Sequence, residues 1–342
     1  MSLAVIIAAR NAEPTLARCL GALRAAEDVD FDLIVVDDAS DDQTALIASE
    51  RGATVIVNTE RQGTSPSRNR GAAAATADIL VFVDSDVVVA PDTLRRVADN
   101  FERIPGLIGV NGIFAADHDA PGAVSHFVHL SIRHQHLRLP SYTGTCFTSI
   151  FAIRRDVFEA IGGFEEHLDR PYGDDVQMRF KLTDRNARVY QDHKLTVGHL
   201  KVVDLPGLCR SRFFIGRYFI PLLLGNKDSA AADPRTRTQD PRYPFNVLLV
   251  ATGLFATWFA LLHPPMRSAW PWMIAALAPT FFWNNGSLFS LIAKKRGWFE
   301  AALAVPLTLL ESMLYLTGMT YGVLVHAWQK AFKRQVAGRE TA

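Results

Sequence analysis

Acidic residues follow two apolar segments of the chain and are the first candidates for chemistry. Asp37 and Asp38 come directly after Leu33–Val36, and Asp84-Ser85-Asp86 follows Ile79–Val83. If both segments are strands of a parallel sheet, these groups lie at the carboxyl edge, where such sheets bind their ligands. Two carboxylates with one residue between them can reach one divalent cation. Mg²⁺ or Mn²⁺ held there would bridge a diphosphate, so the pattern predicts a metal-dependent site for a phosphorylated substrate.

Two further groups are weaker candidates, and each has a structural alternative. Asp174 and Asp175 open a predicted helix over Asp175–Leu182. The helix dipole favours carboxylates there, so they either cap the helix or serve as a general base that deprotonates an acceptor hydroxyl. His199 follows a predicted strand and is either a ligand of the metal or the phosphate, as in many related folds, or a structural histidine.

The elements that must position these residues alternate in the first third of the chain. We predict strands at Leu3–Ala9, Asp32–Asp37, Ala53–Val57 and Ile79–Val83, and helices after an Asn11 cap and at Thr44–Arg51, Pro66–Thr76 and Pro91–Phe101. Apolar runs without polar alternation suit strands buried on both faces. The expected fold class is therefore α/β, with a mostly parallel sheet flanked by helices.

Residues 105–200 are less regular and indicate a mixed continuation of the same sheet. Strands are predicted at Ser149–Ile153 and Ala187–Gln191, and a helix at Arg155–Ile161 in addition to the one that follows Asp174. We expect this part of the chain to form the side of the site that binds the second substrate, the acceptor.

The last third of the chain changes character and predicts membrane association. Leu205–Leu224 is basic and aromatic, as in a helix lying at a membrane surface. Phe245–Leu262, Ala269–Ala293 and Ala301–Val325 are each long enough to cross a bilayer, which needs about 20 apolar residues per helix. The predicted domains are a catalytic domain at 1–204, an interfacial segment and linker at 205–243, two to four transmembrane helices at 244–329, and a basic tail at 330–342.

Basic clusters on both sides of the last apolar stretch leave its topology open. Lys294-Lys295-Arg296 and Lys330–Arg334 both favour the cytoplasm under the positive-inside rule. Either this stretch is a re-entrant hairpin around Pro306 or Glu311, or one cluster lies outside. The three widely spaced cysteines fit a reducing compartment. We expect an integral membrane protein with a cytoplasmic catalytic domain.

The charge balance excludes one class of partner. The chain has 36 Lys and Arg against 35 Asp and Glu, a formal net charge of +1. A protein that binds nucleic acid through the phosphate backbone carries a basic excess, so no nucleic-acid partner is expected.

Several motifs in order resemble those of the family 2 glycosyltransferases. They are Val5–Asn11, Val36–Thr44, Arg68-Asn69-Arg70-Gly71, Phe82–Asp86, Gly162-Gly163-Phe164 and Gly173–Val176. The turn Ala8-Ala9-Arg10 departs from the proline-containing turn of that family. The resemblance covers about residues 3–200, and it implies the GT-A nucleotide-sugar-binding fold and an inverting transfer without a covalent intermediate.

Carried over to this chain, the resemblance implies a role for each motif residue. The nucleotide-sugar, expected to be a UDP-sugar, would contact Ala8, Arg10, Asp38, Arg68, Asp84 and Ser85. Asp38 would accept a hydrogen bond from the base, and Arg68 would lie near the diphosphate or the sugar. Asp86 would ligate the metal with Asp84 and His199, and Asp175, preceded by Asp174, would be the general base.

Basic residues of the interfacial segment are candidates for closing over the donor or the acceptor. Arg210, Arg212 and Arg217 could do so as the Gln-x-x-Arg-Trp segment of processive members does. That motif is absent here, which favours transfer of a single sugar. The expected acceptor is a lipid, such as a polyprenyl phosphate or a glycolipid.

Two other classes of protein compete with this interpretation. A nucleotidyltransferase also uses an α/β sheet and a metal-binding aspartate, but it would carry a glycine-rich phosphate loop after the first strand. An inactive, membrane-tethered nucleotide-sugar binder would not need Asp38, Asp84, Asp86 and Asp175 together.

Overall fold

The computed structural model of the chain describes residues 1–117, 120–143, 146–166, 174–184, 189–225 and 242–340. The predicted linker that begins at Asn226 and the motif residue Gly173 lie outside the described residues. The strands are β1 Leu3–Ala9, β2 Phe31–Asp37, β3 Thr54–Val57, β4 Ile79–Val83, β5 Val87–Val89, β6 Gly109–Phe114, β7 Tyr142–Thr143, β8 Ile150–Arg154 and β9 Val189–His199. The helices are α1 Glu13–Arg24, α2 Thr44–Glu50, α3 Thr64–Ala74, α4 Thr93–Arg103, α5 Ala123–Leu137, α6 Arg155–Ala160, α7 Asp174–Asp184, α8 Leu205–Gly225, α9 Arg242–Leu262, α10 Trp270–Arg296 and α11 Trp298–Glu340.

The nine strands found among the described residues belong to one sheet, whose order is β3-β2-β1-β4-β8-β6-β9-β5, with β7 also paired to β9. The first four strands in this order are parallel to one another. Beyond β4 the sheet is mixed, because β8 runs antiparallel to β4 and β6, and β9 is parallel to β6. The predicted α/β class and the mixed continuation are confirmed.

The register of the parallel strands brings the acidic motifs to one edge. β1 and β2 pair so that Ala9 lies opposite Asp37, and β1 and β4 pair so that Ile6 lies opposite Phe82. The residues that follow β2 and β4 therefore emerge at the same carboxyl edge, as expected for a parallel sheet.

Apolar side chains cover both faces of the sheet, which explains the unbroken apolar strands. On one face Val5 and Ile7 pack with α1, α2 and α4, and on the other Ala4 and Ile6 pack with α3, α6 and α7. β4 is buried along its whole length. This α/β/α layering holds the strand ends rigidly.

The start of α1 differs from the sequence-based prediction. Ala12, not Asn11, precedes the helix, and the backbone amide of Glu13 donates to Asp42 Oδ2 at 3.0 Å. Asn11 has a φ of 47°, its amide donates to Ser40 Oγ at 2.9 Å, and its Oδ1 accepts from the Asp41 amide at 2.9 Å. The Asn11 cap was wrong because this side chain joins the turns after β1 and β2.

The described residues divide into two compact units. One comprises the described residues within Met1–Ala120 and Ile132–Val202, and the other comprises those within Pro121–Ser131, Val203–Ala231 and Gln239–Ala342. We call them the catalytic unit and the helical unit. The sequence did not indicate that residues 121–131 group with the C-terminal helices. The limits of 1–204 for a catalytic domain remain a prediction.

Two helices of the helical unit are long and apolar enough to cross a membrane. They cover Pro244–Leu262 and Trp298–Trp328, and the test considers length and composition alone within the described residues. α10 is not among them. It carries Asn284 and Asn285, and Asn285 exchanges amide hydrogen bonds of 3.0 and 2.9 Å with Asn246 of α9. This reciprocal pair satisfies polar groups that would otherwise be costly on apolar helices.

The last helix settles one topological alternative. α11 runs without interruption through Pro306 and Glu311, so the re-entrant hairpin is wrong. Glu311 is 3 % exposed and accepts a hydrogen bond from Arg212 Nε of α8. The buried charge of Glu311 therefore has a partner of opposite charge, and α11 can continue past it as a helix. α11 continues through Glu340, so the predicted basic tail extends the helix.

Candidate active site

α3 lies directly on the parallel strands because its eighth residue, Gly71, has no side chain. A Cβ on Gly71 would lie 2.5 Å from Ile6 Cγ2 and 3.2 Å from Val36 Cγ2. The absence of a side chain lets the helix backbone approach β1 and β2 at this point. This close approach brings the neighbouring Arg68 beneath the carboxyl edge of the sheet.

Arg68 joins the two acidic motifs that the sequence singled out. Its Nη2 donates to Asp84 Oδ1 at 2.7 Å, and its Nη1 donates to Asp174 Oδ2 at 2.5 Å. The side chain is 5 % exposed, and its guanidinium lies 5.3 Å from the centroid of the Phe164 ring. Burial acts to lower the pKa of Arg68, but the charges of Asp84 and Asp174 outweigh it and raise that pKa. The guanidinium is therefore a fixed positive charge between two carboxylates.

The other residues of the same helical motif connect it to its surroundings. Asn69 accepts a hydrogen bond at Oδ1 from the Phe164 amide at 2.9 Å and donates from Nδ2 to the Phe164 carbonyl at 2.9 Å. Gly163, with a φ of 59°, leaves room for this contact, since a Cβ there would lie 2.7 Å from Asn69 Oδ1. Arg70 donates to the Val57 carbonyl at 3.1 Å. α3 thus holds the glycine turn after α6 and the end of β3.

The Asp84-Ser85-Asp86 turn lies between β4 and β5 and points its two carboxylates to different partners. Asp84 accepts from Arg68 and, at Oδ2, from Ser149 Oγ at 3.0 Å. Asp86 Oδ2 lies 3.3 Å from His199 Nε2. Burial acts to raise the pKa of Asp86, but the hydrogen bond and charge of His199 and the charge of Lys201 lower it overall. Asp86 is therefore ready to bind a cation as a carboxylate.

His199 is held in place by an aromatic neighbour. Its ring stacks on Phe114 with centroids 4.5 Å apart and planes 12° apart. His199 ends β9, which pairs antiparallel with β5 so that it lies opposite Val87. The strand pairing therefore explains why a histidine over 100 residues away meets the Asp84–Asp86 turn.

These residues fit a divalent cation only in part. Among the described residues, no three His, Cys, Asp or Glu side chains are grouped as metal ligands. Asp84 is turned toward Arg68 and Ser149, which leaves Asp86 and His199 as the paired donors. A carboxylate and an imidazole suit Mn²⁺, and a carboxylate suits Mg²⁺, when phosphate oxygens and waters complete the coordination. The donor set therefore fits a metal that binds together with a diphosphate.

Asp38 shapes the loop that follows β3. It is 4 % exposed, and Oδ1 accepts from Asn58 Nδ2 at 2.8 Å and from the Gln62 amide at 2.7 Å. Oδ2 accepts from the Gly63 amide at 2.9 Å. Three of the roughly four acceptor positions of the carboxylate are thus used within the protein.

The remaining candidate residues lie at two places. In the catalytic unit, Ala8 is half-buried near the end of β1, Arg10 is exposed just after it, and Asp175 is exposed in the first turn of α7. In the helical unit, Arg210 is exposed, whereas Arg212 is 7 % exposed and bound to Glu311. Arg217 lies 5.0 Å from the centroid of the Tyr321 ring. The Arg212 guanidinium thus already has a carboxylate partner.

Sequence reasoning missed Ser149, Asn69 and Phe114 as parts of this site. Ser149 precedes β8, and the antiparallel pairing of β8 with β4 brings it beside Asp84. Asn69 belongs to the motif Arg68-Asn69-Arg70-Gly71, so its position in the sequence could have indicated a role in the site. Phe114 ends an apolar strand and carried no signal of its contact with His199.

The fold is that of the GT-A glycosyltransferases. A solved mannosyltransferase from Pyrobaculum calidifontis, in complex with GDP-Man and Mn²⁺, superimposes with a TM-score of 0.58 over 94 % of this chain and 86 % of its own, at 16 % identity. Residues 4–162 match the model of glycosyl transferase family 2. Over these residues, which make up just under half of the chain, the sequence is similar to the family 2 glycosyltransferases.

Two curated relatives show how far the likeness extends. The succinoglycan biosynthesis protein ExoO of Rhizobium meliloti is 27 % identical over 198 residues, which are 57 % of this chain and 54 % of that protein. A glucosyl-dolichyl phosphate glucuronosyltransferase of Haloferax volcanii is 25 % identical over 157 residues, 43 % of this chain and 50 % of that protein. The chain therefore spans about half the length of these relatives.

Proposed function

We propose that this glycosyltransferase is a metal-dependent, inverting enzyme that moves a single sugar from a nucleoside-diphosphate sugar to a membrane-associated acceptor. The observation that carries the proposal is the cluster at the carboxyl edge of the parallel strands. There Asp86 lies 3.3 Å from His199, and Arg68 links Asp84 to Asp174. The cluster combines ligands for a cation with an acidic helix start suited to an acceptor.

In the proposed reaction, Asp86 and His199 would hold Mg²⁺ or Mn²⁺, and Asp84 would be a further ligand beside them. Such a cation stabilises the charge that develops on the departing nucleoside diphosphate. The nucleotide side of the site is lined by Ala8, Arg10, Asp38 and Ser85. Asp38 also fixes the loop after β3 through its hydrogen bonds to Gln62 and Gly63.

Asp175 is the proposed general base. It is exposed in the first turn of α7, where the helix dipole favours the ionised carboxylate. It takes the proton of an acceptor hydroxyl while the acceptor oxygen attacks the anomeric carbon from the face opposite the diphosphate. The bond to the acceptor forms, the bond to the diphosphate oxygen breaks, and the anomeric centre inverts. A phosphate acceptor needs little deprotonation, and Asp175 would then position it.

A lipid acceptor is supported by the helical unit and by a relative. Two helices are apolar and long enough to cross a membrane, and the Haloferax volcanii relative is named for a dolichyl phosphate sugar. We therefore propose a polyprenyl phosphate or a glycolipid as the acceptor. Lys294-Lys295-Arg296 at the end of α10 favours a catalytic unit on the cytoplasmic face.

The proposal is tested with membranes that contain the full-length protein. The donor panel includes radiolabelled UDP-sugars, as the family resemblance implies, and GDP-mannose, which the Pyrobaculum calidifontis enzyme binds. With Mn²⁺ present, we expect label in extracted lipid. The variant Asp86→Ala should lower this transfer by about 10²-fold or more, because a preorganised charge at the diphosphate is lost. Asp99→Ala, an exposed carboxylate of α4, is the matched control and should retain activity.

Three results would contradict parts of this proposal. Label found only in water-soluble product would exclude a lipid acceptor. Full activity in the presence of a strong chelator would exclude the metal. Equal activity of Asp86→Ala and Asp99→Ala would remove Asp86 from the site.

A further inference from the structure

We propose that Arg68 is a positioning residue that couples the donor side of the site to the acceptor helix α7. The proposal rests on the function proposed above, and it assigns Arg68 a different task from direct donor binding. Its two nitrogens Nη1 and Nη2 are divided between carboxylates that come from different motifs. One of these, Asp84, belongs to the donor side, and the other, Asp174, begins the helix that carries Asp175.

Because the Arg68 side chain is buried, the loss of either ion pair of this bridge should have a large effect. The Arg68 side chain is 5 % exposed, whereas Asp84 and Asp174 are 29 % and 26 % exposed. Removing one partner of a buried ion pair leaves an uncompensated charge, whereas pairs at the surface contribute little. The guanidinium is also flat, and a two-pronged arginine contact fixes direction as well as distance. A lysine would offer one point charge and could not keep both carboxylates in register.

The bridge reaches the start of α7. Further along the helix Met178 and Leu182 pack in the core. In the first turn, Arg68 Nη1 donates a hydrogen bond to Asp174 Oδ2. Asp175 follows directly, so we expect the loss of that contact to move the proposed base.

A second contact from α3, made by Asn69 to Phe164, strengthens the coupling. Asn69, next to Arg68, hydrogen-bonds both backbone groups of Phe164, and the Phe164 ring lies against the Arg68 guanidinium. Arg68 is therefore packed on the turn that Asn69 holds. A change at Arg68 should be felt at Phe164 and at α7 together, and much less at the metal-binding pair Asp86 and His199.

The first test does not require activity. Hydrogen exchange of the full-length protein in detergent reports local opening of helices. Arg68→Ala should increase the exchange rate in the first turns of α7 by about tenfold or more. The rate in Arg68→Lys should lie between those of the wild type and Arg68→Ala, because lysine retains one charged contact. Arg95→Ala, which removes an exposed arginine paired with Asp99 on α4, is the matched control. Unchanged exchange of α7 in Arg68→Ala would overturn the coupling.

The second test uses kinetics. A displaced base costs about 10²-fold in turnover, so Arg68→Ala and Asp174→Ala should each lower kcat by that order while donor KM changes less than about threefold. The kcat of the double variant Arg68→Ala/Asp174→Ala should be no lower than that of either single variant, since the pair acts as a unit. Multiplying defects, or a defect confined to donor KM, would show that Arg68 binds the donor on its own and would overturn the proposal.

The two tests separate this inference from the proposed function. A wild-type protein that is inactive with every donor and acceptor would contradict the function, yet the exchange measurement would still decide whether Arg68 holds α7. An active enzyme whose Arg68→Ala variant keeps its exchange and its kcat would contradict the coupling alone.

Discussion

His136 is a buried imidazole of the catalytic unit, and its surroundings keep it neutral. It is 8 % exposed, its ring packs edge to face on Phe147 at 4.2 Å, and Nδ1 has no hydrogen-bond partner among the described residues. Burial, with a smaller contribution from the charge of His193, lowers the pKa of His136 to about 4. An unfolded histidine has a pKa of about 6.5.

We therefore expect the catalytic unit to lose stability in mild acid. Between pH about 6.5 and about 4 the unfolded chain binds a proton at His136 and the folded chain does not, so the free energy of unfolding falls by about 3 kcal/mol across this window. His136→Phe keeps a ring against Phe147 and removes the titration. The difference in melting temperature between variant and wild type, measured from pH 7.5 to 4.5, should shift in favour of the variant. A difference that is constant with pH would show that His136 is not neutral in the folded state.

At the scale of elements, close backbone contacts at glycines set where helices can lie. For α3, Gly71→Ala should displace the helix from β1 and destabilise the protein by about 1–3 kcal/mol, because the new Cβ would overlap Ile6. Gly21→Ala is the matched control, since nothing lies within 4 Å of a Cβ there, and alanine should stabilise α1 by about 0.5–1 kcal/mol. Thermal unfolding measures both. Equal effects of the two substitutions would argue against the close approach of α3.

The helical unit offers a second pair of this kind. A Cβ on Gly318 of α11 would lie 2.2 Å from the Phe213 carbonyl of α8, whereas a Cβ on Gly286 of α10 would meet nothing within 4 Å. Small residues at such crossings let two helix backbones approach. Gly318→Ala should therefore lower the melting temperature of the detergent-solubilised protein, and Gly286→Ala should leave it unchanged or raise it. The reverse order would show that α8 and α11 are not packed through this glycine.

At the scale of the whole molecule, exposed apolar residues of the helical unit predict membrane insertion. Trp258, Trp283 and Leu254 are 56 %, 83 % and 48 % exposed, an apolar surface that needs lipid or a partner to cover it. We expect the full-length protein to remain in the membrane pellet after alkaline carbonate extraction. Leu254→Lys places a charge on the apolar face of α9 and should release part of the protein.

The control for this extraction is Leu46→Lys in the catalytic unit, where Leu46 is similarly exposed at 52 %. It should leave the protein in the pellet. Release of the wild type by carbonate, or equal release of both variants, would contradict membrane insertion through α9.

The amino-acid sequence by itself determined the fold class, the first four strands and the acidic motifs at their ends. These depend on local signals, namely apolar runs of strand length, turn residues and short spacings, and such signals survive without knowledge of the partners. The sequence also indicated Asp86, His199 and Arg68 as candidates, one by one.

Tertiary structure alone decided which of these side chains meet. His199 reaches Asp86 because β9 pairs with β5, and Ser149 reaches Asp84 because β8 pairs with β4. Asp84 forms an ion pair with Arg68, and Arg212 finds Glu311 across 99 positions of the chain. Strand pairing and helix crossing join residues that are far apart in the chain, and no local pattern records which partner a buried charge will find.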